Sequence, residues 1–311
     1  AANALAELLA AVEERPSVAV VGPKLRGWHD RNHLLEVGVS IAGNGARWTG
    51  LEFREQDQGQ HDNVSEVLAV STAGALIRRD VFEELNGFDP ELSLFRDDVD
   101  FGWRVHTAGH SVIVAPQAVA YHAEAAANER RSVDVKGAFL HRPLLLDRRH
   151  AAYVLLANTS WWFLPVIALQ LLGASVARAI GFLLAKLPGY ALDELAAVGL
   201  LILQPQDIFK ARRNRRKNRL VSSRVIARFV PPRGSQLQLA IERAQSAVSR
   251  AWRRSSLYDD KTSSSSSVLD LNDEALENAD IELVKAPSPF TWLLKRPILS
   301  ISLVVGLLAL I

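Results

Sequence analysis

The sequence predicts an α/β protein over its first 125 residues, followed by apolar segments of a different character. Three observations carry that reading: strands alternate with helices up to His122; residues 151–177 hold 27 positions without Asp, Glu, Lys or Arg; and no repeat of solenoid period interrupts either part. The 311 residues amount to about two domains. The chain is 49% hydrophobic and 23% charged, with a mean hydropathy of +0.06, slightly apolar for a soluble enzyme. Lys and Arg (36) nearly balance Asp and Glu (34), which excludes a general polyanion-coating protein. The absence of cysteine excludes disulfides, thiol catalysis and Cys-ligated metals. The chain has no methionine and starts with alanine, so it reads as a piece of a longer polypeptide.

The elements follow in order. Residues 1–15 lack the basic start and long apolar run of a signal peptide and read as an amphipathic helix. Ser17–Val21 is a buried strand that Gly22-Pro23 closes, and Leu35–Ile41 (LEVGVSI) is a second strand. Glu66–Ile77 starts as a strand and continues through the small residues Ser71-Thr72-Ala73-Gly74-Ala75. A helix capped by Asp80 runs to Leu85 and stops at Asn86-Gly87. A further helix covers Asp97–Ala108, and short strands at Val112–Ala115 and Val119–His122 flank Pro116.

Beyond residue 150 the predicted setting changes. Residues 151–177 are long enough to span a bilayer, whereas 179–206, interrupted by Lys186, Pro188, Asp193 and Glu194, form either a returning span or an interfacial helix. Residues 210–219 (KARRNRRKNR) hold seven basic groups in ten positions and head a polar, largely disordered linker to about 290. Residues 297–311 are 15 uncharged positions, the start of a further membrane helix. Arg148-Arg149, the 210–219 run and Lys295-Arg296 flank these segments, and the positive-inside rule assigns all three to the cytoplasm. Residues 151–206 are then a hairpin, or they do not fully cross. The basic run between apolar segments favours lipid headgroups over nucleic acid as its partner.

The densest chemistry lies in Phe95–Arg104 (FRDDVDFGWR). Asp97, Asp98 and Asp100 share the start of one helix beside Phe95, Phe101 and Trp103. One N-cap needs one carboxylate. A second can serve as general base beside a bound hydroxyl while its neighbour orients it. His122 ends a strand, where a side chain can reach a cleft as a metal ligand, although most such histidines are structural. The run Ala73-Gly74-Ala75 permits close approach of a ligand to the backbone, or simply tight packing.

The order of these pieces is GPK at 22–24, LLEVGVSI at 34–41, STAGALIRRDVFEELNGFDPELSLFRDDVDFGWRVHTAGH at 71–110 and AVAYHAEA at 118–125. It resembles the second half of a family 2 glycosyltransferase domain, and the trailing segments resemble actinobacterial multi-pass members. The resemblance covers about 120 of the 311 residues. It implies a partial GT-A-type, Rossmann-like fold and a membrane-associated inverting transferase with its catalytic domain cytoplasmic. That enzyme moves a sugar from a nucleotide-sugar donor to a cell-envelope glycan or lipid-linked acceptor. The implied roles are Asp98 as catalytic base, with Asp97 where Glu is commoner; Asp100, Trp103 and Arg104 in the substrate-facing helix motif; Ala73, Gly74 and Ala75 along the donor and acceptor pocket; and His122 as a ligand of a divalent cation, Mg2+ or Mn2+. No Asp-x-Asp precedes Asp98, so that motif is expected upstream of Ala1 and this stretch alone is expected to be inactive. The QxxRW motif of processive synthases is missing as well. The rival reading is a non-catalytic membrane scaffold with a degenerate transferase domain.

Overall fold

A computed structural model describes residues 3–13, 15–52, 54–123, 143–184 and 187–231, which all belong to one compact unit. The expectations for 232–290 and 297–311 lie outside the described residues. Helix α1 (Ala4–Glu13) precedes β1 (Val18–Gly27), which is buried almost throughout. Short strands β2 (Leu34–Glu36), β3 (Ser40–Ile41), β4 (Arg47–Trp48), β5 (Ser65–Glu66) and β6 (Leu76–Ile77) follow. After them come α2 (Arg79–Glu84), α3 (Asp97–Thr107) and β7 (Ser111–His122).

The main sheet is mixed, in the order β2-β1-β7-β5. β1 and β7 run parallel along their whole length, β5 pairs antiparallel with β7, and β6 and β2 share the other edge of β1. The expected stop at Gly22-Pro23 is instead an irregularity inside one strand. The β1–β7 register jumps from Pro23–Ala115 to Lys24–Val119, so residues 116–118, Pro116 among them, bulge out of the ladder. The two strands expected around Pro116 are therefore one. Gly22 faces Val70 and Gly102 faces the backbone at Leu68 so closely that neither leaves room for a Cβ. Gly102 thereby lets α3 lie directly on the strand-like segment 67–70. Phe82, Phe88 and Phe101 form a ring cluster with centroids 5.3–5.4 Å apart under α2 and α3.

Helix α4 (Pro143–Asn158) takes up the first part of the apolar run 151–177. Its residues 151–155 are buried in a core shared with Val39, Ile41, Leu68, Val99 and Trp103. The apolar run then breaks at Thr159-Ser160 into a 3-10 turn (Trp161–Phe163) and α5 (Leu164–Leu184). Among the described residues, Trp161–Leu184 alone is long and apolar enough to cross a membrane, and 28% of its most apolar window is buried against the protein. Helix α6 (Pro188–Leu203) packs on α5 and α4, with Asp193 and Glu194 buried.

The basic run is not the head of a disordered linker. Residues 205–217 form α7, and a 3-10 helix (Ser223–Arg228) follows. Arg215 is buried and bonds Asp89 and Asp100, while Arg212 and Arg219 donate to the carbonyls of Leu156 and Asn158. The Leu220 and Val221 amides donate to Thr107 O, and Ser40 Oγ donates to Phe229 O at 2.5 Å. The segment is thus strapped across the back of α3.

Candidate active site

The start of α3 is aimed by an unusual turn. Phe95 and Arg96 are consecutive non-glycine residues at φ +63° and +65°, a conformation that costs roughly 1–2 kcal/mol each. Helix α4 clamps that turn. His150, which burial keeps neutral below its ordinary pKa, donates from Nδ1 to Leu94 O. Asp147 takes Arg96 in a two-pronged pair at 2.8 and 3.1 Å. No side chain caps the N-terminus, because the N-cap is Arg96 itself, so the acidic triplet is not a conventional cap.

Each carboxylate of the triplet has a different setting. Asp98 is nearly buried: Oδ1 accepts the Val99 N–H at 2.7 Å, and Oδ2 accepts Arg47 Nη2 at 2.7 Å. Arg47, carried by the β3–β4 hairpin, also donates to Glu36 Oε2 at 2.9 Å, and Glu36 Oε1 accepts the Ser71 N–H at 2.8 Å. The result is a line Ser71–Glu36–Arg47–Asp98 that joins the small-residue loop to α3. Burial pushes Glu36 up, and the Asp98 charge adds to that against the pull of Arg47. Burial works against the Arg47 charge as well, but the two carboxylates outweigh it and hold Arg47 above its ordinary range. Asp97 is half-buried and pushed up by burial and by the Asp98 charge beside it.

Asp98 shares a small cavity with Thr72, Ala75, Phe88 and Gly102. Thr72 and Gly74 are exposed, and Gly74 takes φ +110° with the Pro23 ring beside it. The loop 71–75, a turn rather than the expected strand, therefore forms an open wall beside the carboxylate.

Asp100, Trp103 and Arg104, expected at the substrate, do not join this wall. Asp100 is completely buried between Arg104 (2.8 Å), Arg215 (2.7 Å) and Asn158 (2.8 Å), and these cations hold its carboxyl low against the effect of burial. Arg104 also donates to Leu85 O and Gly87 O, which locks the turn after α2. Trp103 lies in the α3–α4 core. These three side chains hold the helix that presents Asp98. His122 is exposed at the end of β7, and its carbonyl accepts Trp28 N–H. Among the described residues no group of three His, Asp or Glu side chains is placed to hold a metal ion.

Sequence reasoning missed Glu36, Arg47 and the α4 clamp. Glu36 was signalled as the one charge inside an apolar strand; Arg47 and His150 carried no local signal. A second charged cluster sits at the far end of β1. Lys24, 1% exposed, bonds both oxygens of Asp57 and reaches Asp62 at 2.5 Å, and Arg26 pairs with Asp57. Burial would raise Asp57, but the Gly59 N–H and these cations hold it below its usual range. The polar loop 57–62 is fastened to the sheet by this cluster.

Residues 1–134 match the family model described as "Glycosyltransferase like family 2". An uncharacterized protein, y4gI, of Sinorhizobium fredii is 28% identical over 139 residues, covering 43% of this chain. The match spans 15% of that relative's own length. The matched stretch contains the whole sheet, Glu36, Arg47, the 71–75 loop and Asp98, and it supports a family 2 glycosyltransferase domain at residues 1–134 of this chain.

Proposed function

We propose that residues 1–134 are the acceptor-side part of a membrane-associated inverting glycosyltransferase, which passes a sugar from a nucleotide-sugar donor to a cell-envelope glycan or lipid-linked acceptor at the cytoplasmic membrane face. The observation that carries this reading is Asp98, clamped at a strained helix start beside an open loop of small residues. An acceptor hydroxyl against that loop gives its proton to Asp98 as its oxygen bonds to the anomeric carbon. The bond from that carbon to the departing diphosphate breaks in the same step. Arg47 fixes the direction of the Asp98 carboxylate and is itself held by Glu36.

Substrate proximity is supplied by the loop backbone at 72–75, which lacks side chains large enough to keep a sugar away. A divalent cation, Mg2+ or Mn2+, belongs to this reading through the resemblance alone. The described residues, His122 included, do not assemble a site for it. Membrane association is supported by the exposed apolar surface of α5 and α6.

The direct test is the stereochemistry of the product, read by proton NMR from the anomeric coupling of the transferred sugar in the intact enzyme. A single displacement gives an anomeric configuration opposite to the donor's. Retention would mean a double displacement or a front-face reaction, and either would remove Asp98 from the role of base in an inverting single displacement.

A further inference from the structure

The helix pair α5–α6 has its charges on the wrong side for water. Arg178 is the one charged residue on α5, and Asp193 and Glu194 are those on α6. All three turn toward the protein, with Asp193 and Glu194 at 1% and 0% exposure. Glu194 accepts Arg148 from α4 at 2.7 Å and Arg178 at 2.9 Å, and Ser175 donates to its backbone carbonyl. The outward stripe is apolar instead. Trp162, Leu169 and Leu203 are exposed by 84%, 72% and 76%, and Val166, Val176, Ile180 and Leu183 continue the stripe along α5 at helical spacing. A helix pair in water shows the opposite order, with charge outside and apolar groups inside.

The same contacts fix how that face can meet lipid. α5 touches the α/β body at Gln170 and Leu171, beneath Gly43 and Gly45, and again at Arg178 through Glu194 to Arg148. Those points lie about 12 Å apart along the helix axis. α5 therefore runs alongside the body, with its middle bound to it, and does not project from it. A bilayer-spanning α5 would carry Arg148, Arg178, Glu194 and the buried neighbours of α4 to hydrocarbon depth. Each such charge costs about 2.5–3.5 kcal/mol on insertion scales.

We propose that residues 161–184 and 188–203 are an in-plane anchor, seated in one leaflet of an anionic bilayer with the outer stripe of α5 and α6 in the acyl chains. Charge complementarity selects this partner. The exposed Lys210, Arg213, Arg216 and Lys217 lie on α7, which begins two positions after Leu203 and offers cations to headgroup phosphates beside the stripe. The anchor deepens the membrane association proposed above, but it does not depend on the chemistry at Asp98.

The chain has no cysteine, so single cysteines can be placed without a background to remove. Val166, Leu169, Val176, Ile180 and Leu183 are exposed, and cysteine there disturbs no packing. Each variant of the full 311-residue chain would carry an environment-sensitive fluorophore and be bound to phosphatidylcholine/phosphatidylglycerol vesicles. Quenching by lipids spin-labelled near the headgroup is then compared with quenching by lipids labelled deep in the acyl chain. The apolar residues 297–311 would bring the chain to vesicles by themselves, so the depth profile along α5, not binding, is the readout. The proposal predicts one shallow depth at all five positions. A depth that passes through the bilayer centre between positions 166 and 183 would establish a span and overturn it. Absence of lipid quenching would mean that protein or water covers the stripe, and would overturn it too. Sugar transfer, measured separately on the intact enzyme, can hold while the depth profile fails, so the two readings fail independently.

Discussion

Asp98 has a defined direction because one arginine serves two carboxylates. Arg47 Nη2 lies 2.9 Å from Glu36 and 2.7 Å from Asp98, with the Arg47 side chain about one-third exposed. Removing the arginine leaves two nearly buried carboxylates facing each other across the gap. Arg47→Gln is expected to cost about 1–3 kcal/mol of stability, a range for lost charge-assisted bonds that partial exposure holds at the lower end. Glu36→Gln in the same background removes one member of the pair and should recover part of that loss. Denaturant unfolding of the wild type, both single variants and the double variant gives the coupling directly. Simple additivity would contradict the shared-arginine geometry. The line could not be read in one dimension, because Glu36 and Arg47 sit on different strands and Asp98 lies 51 positions beyond Arg47.

At the scale of elements, α3 is the piece most firmly held. Besides Gly102 against the 67–70 segment and Asp100 between two arginines, it buries His106, which donates from Nε2 to Val67 O at 2.8 Å. Burial pushes His106 down from 6.5 to about 4, helped by the nearby Arg228 charge; Glu66 stands 3.7 Å from Nδ1. The unfolded chain therefore binds the proton first as pH falls. Stability is complete above pH 6.5 and declines toward pH 4, by roughly 3 kcal/mol at most for this one group. His106→Gln can keep a donor toward Val67 O but does not titrate. Its thermal midpoint should fall less than the wild type's between those two pH values. Parallel declines in both proteins would mean that His106 is not held neutral. The sequence placed this helix within a residue at each end, through the acidic first turn and Gly109. It could not show that the acids are not caps, since that depends on Arg96 occupying the N-cap in a left-handed conformation.

Across the described residues, the α/β alternation was legible and the boundary between the α/β body and the apolar helices was not. The uncharged stretch 151–177 runs through two helices because both have apolar neighbours, α4 in the protein core and α5 at the outer surface. Only Asn158-Thr159-Ser160 and Pro165 mark the break between them. The basic run 210–219 has the composition of a solvated linker. Its partners Asp89, Asp100, Leu156 and Asn158 lie more than 50 positions away, so composition alone could not recover the folded α7. The arrangement that results is an α/β body, whose sequence over residues 1–134 matches the family 2 glycosyltransferase model, backed by α4 and α7 and carrying the apolar helix pair α5–α6.

The central claim is that Asp98 is the base, and Asp98→Asn in the intact enzyme tests it most directly. Asparagine keeps the size and can still accept the Val99 N–H, so the start of α3 should persist, but it cannot take the acceptor's proton. Acceptor-dependent turnover and donor affinity are to be measured on the same preparation. The account predicts a fall in turnover of about 10²–10⁴ with donor affinity nearly unchanged; near-normal turnover in the variant would contradict it.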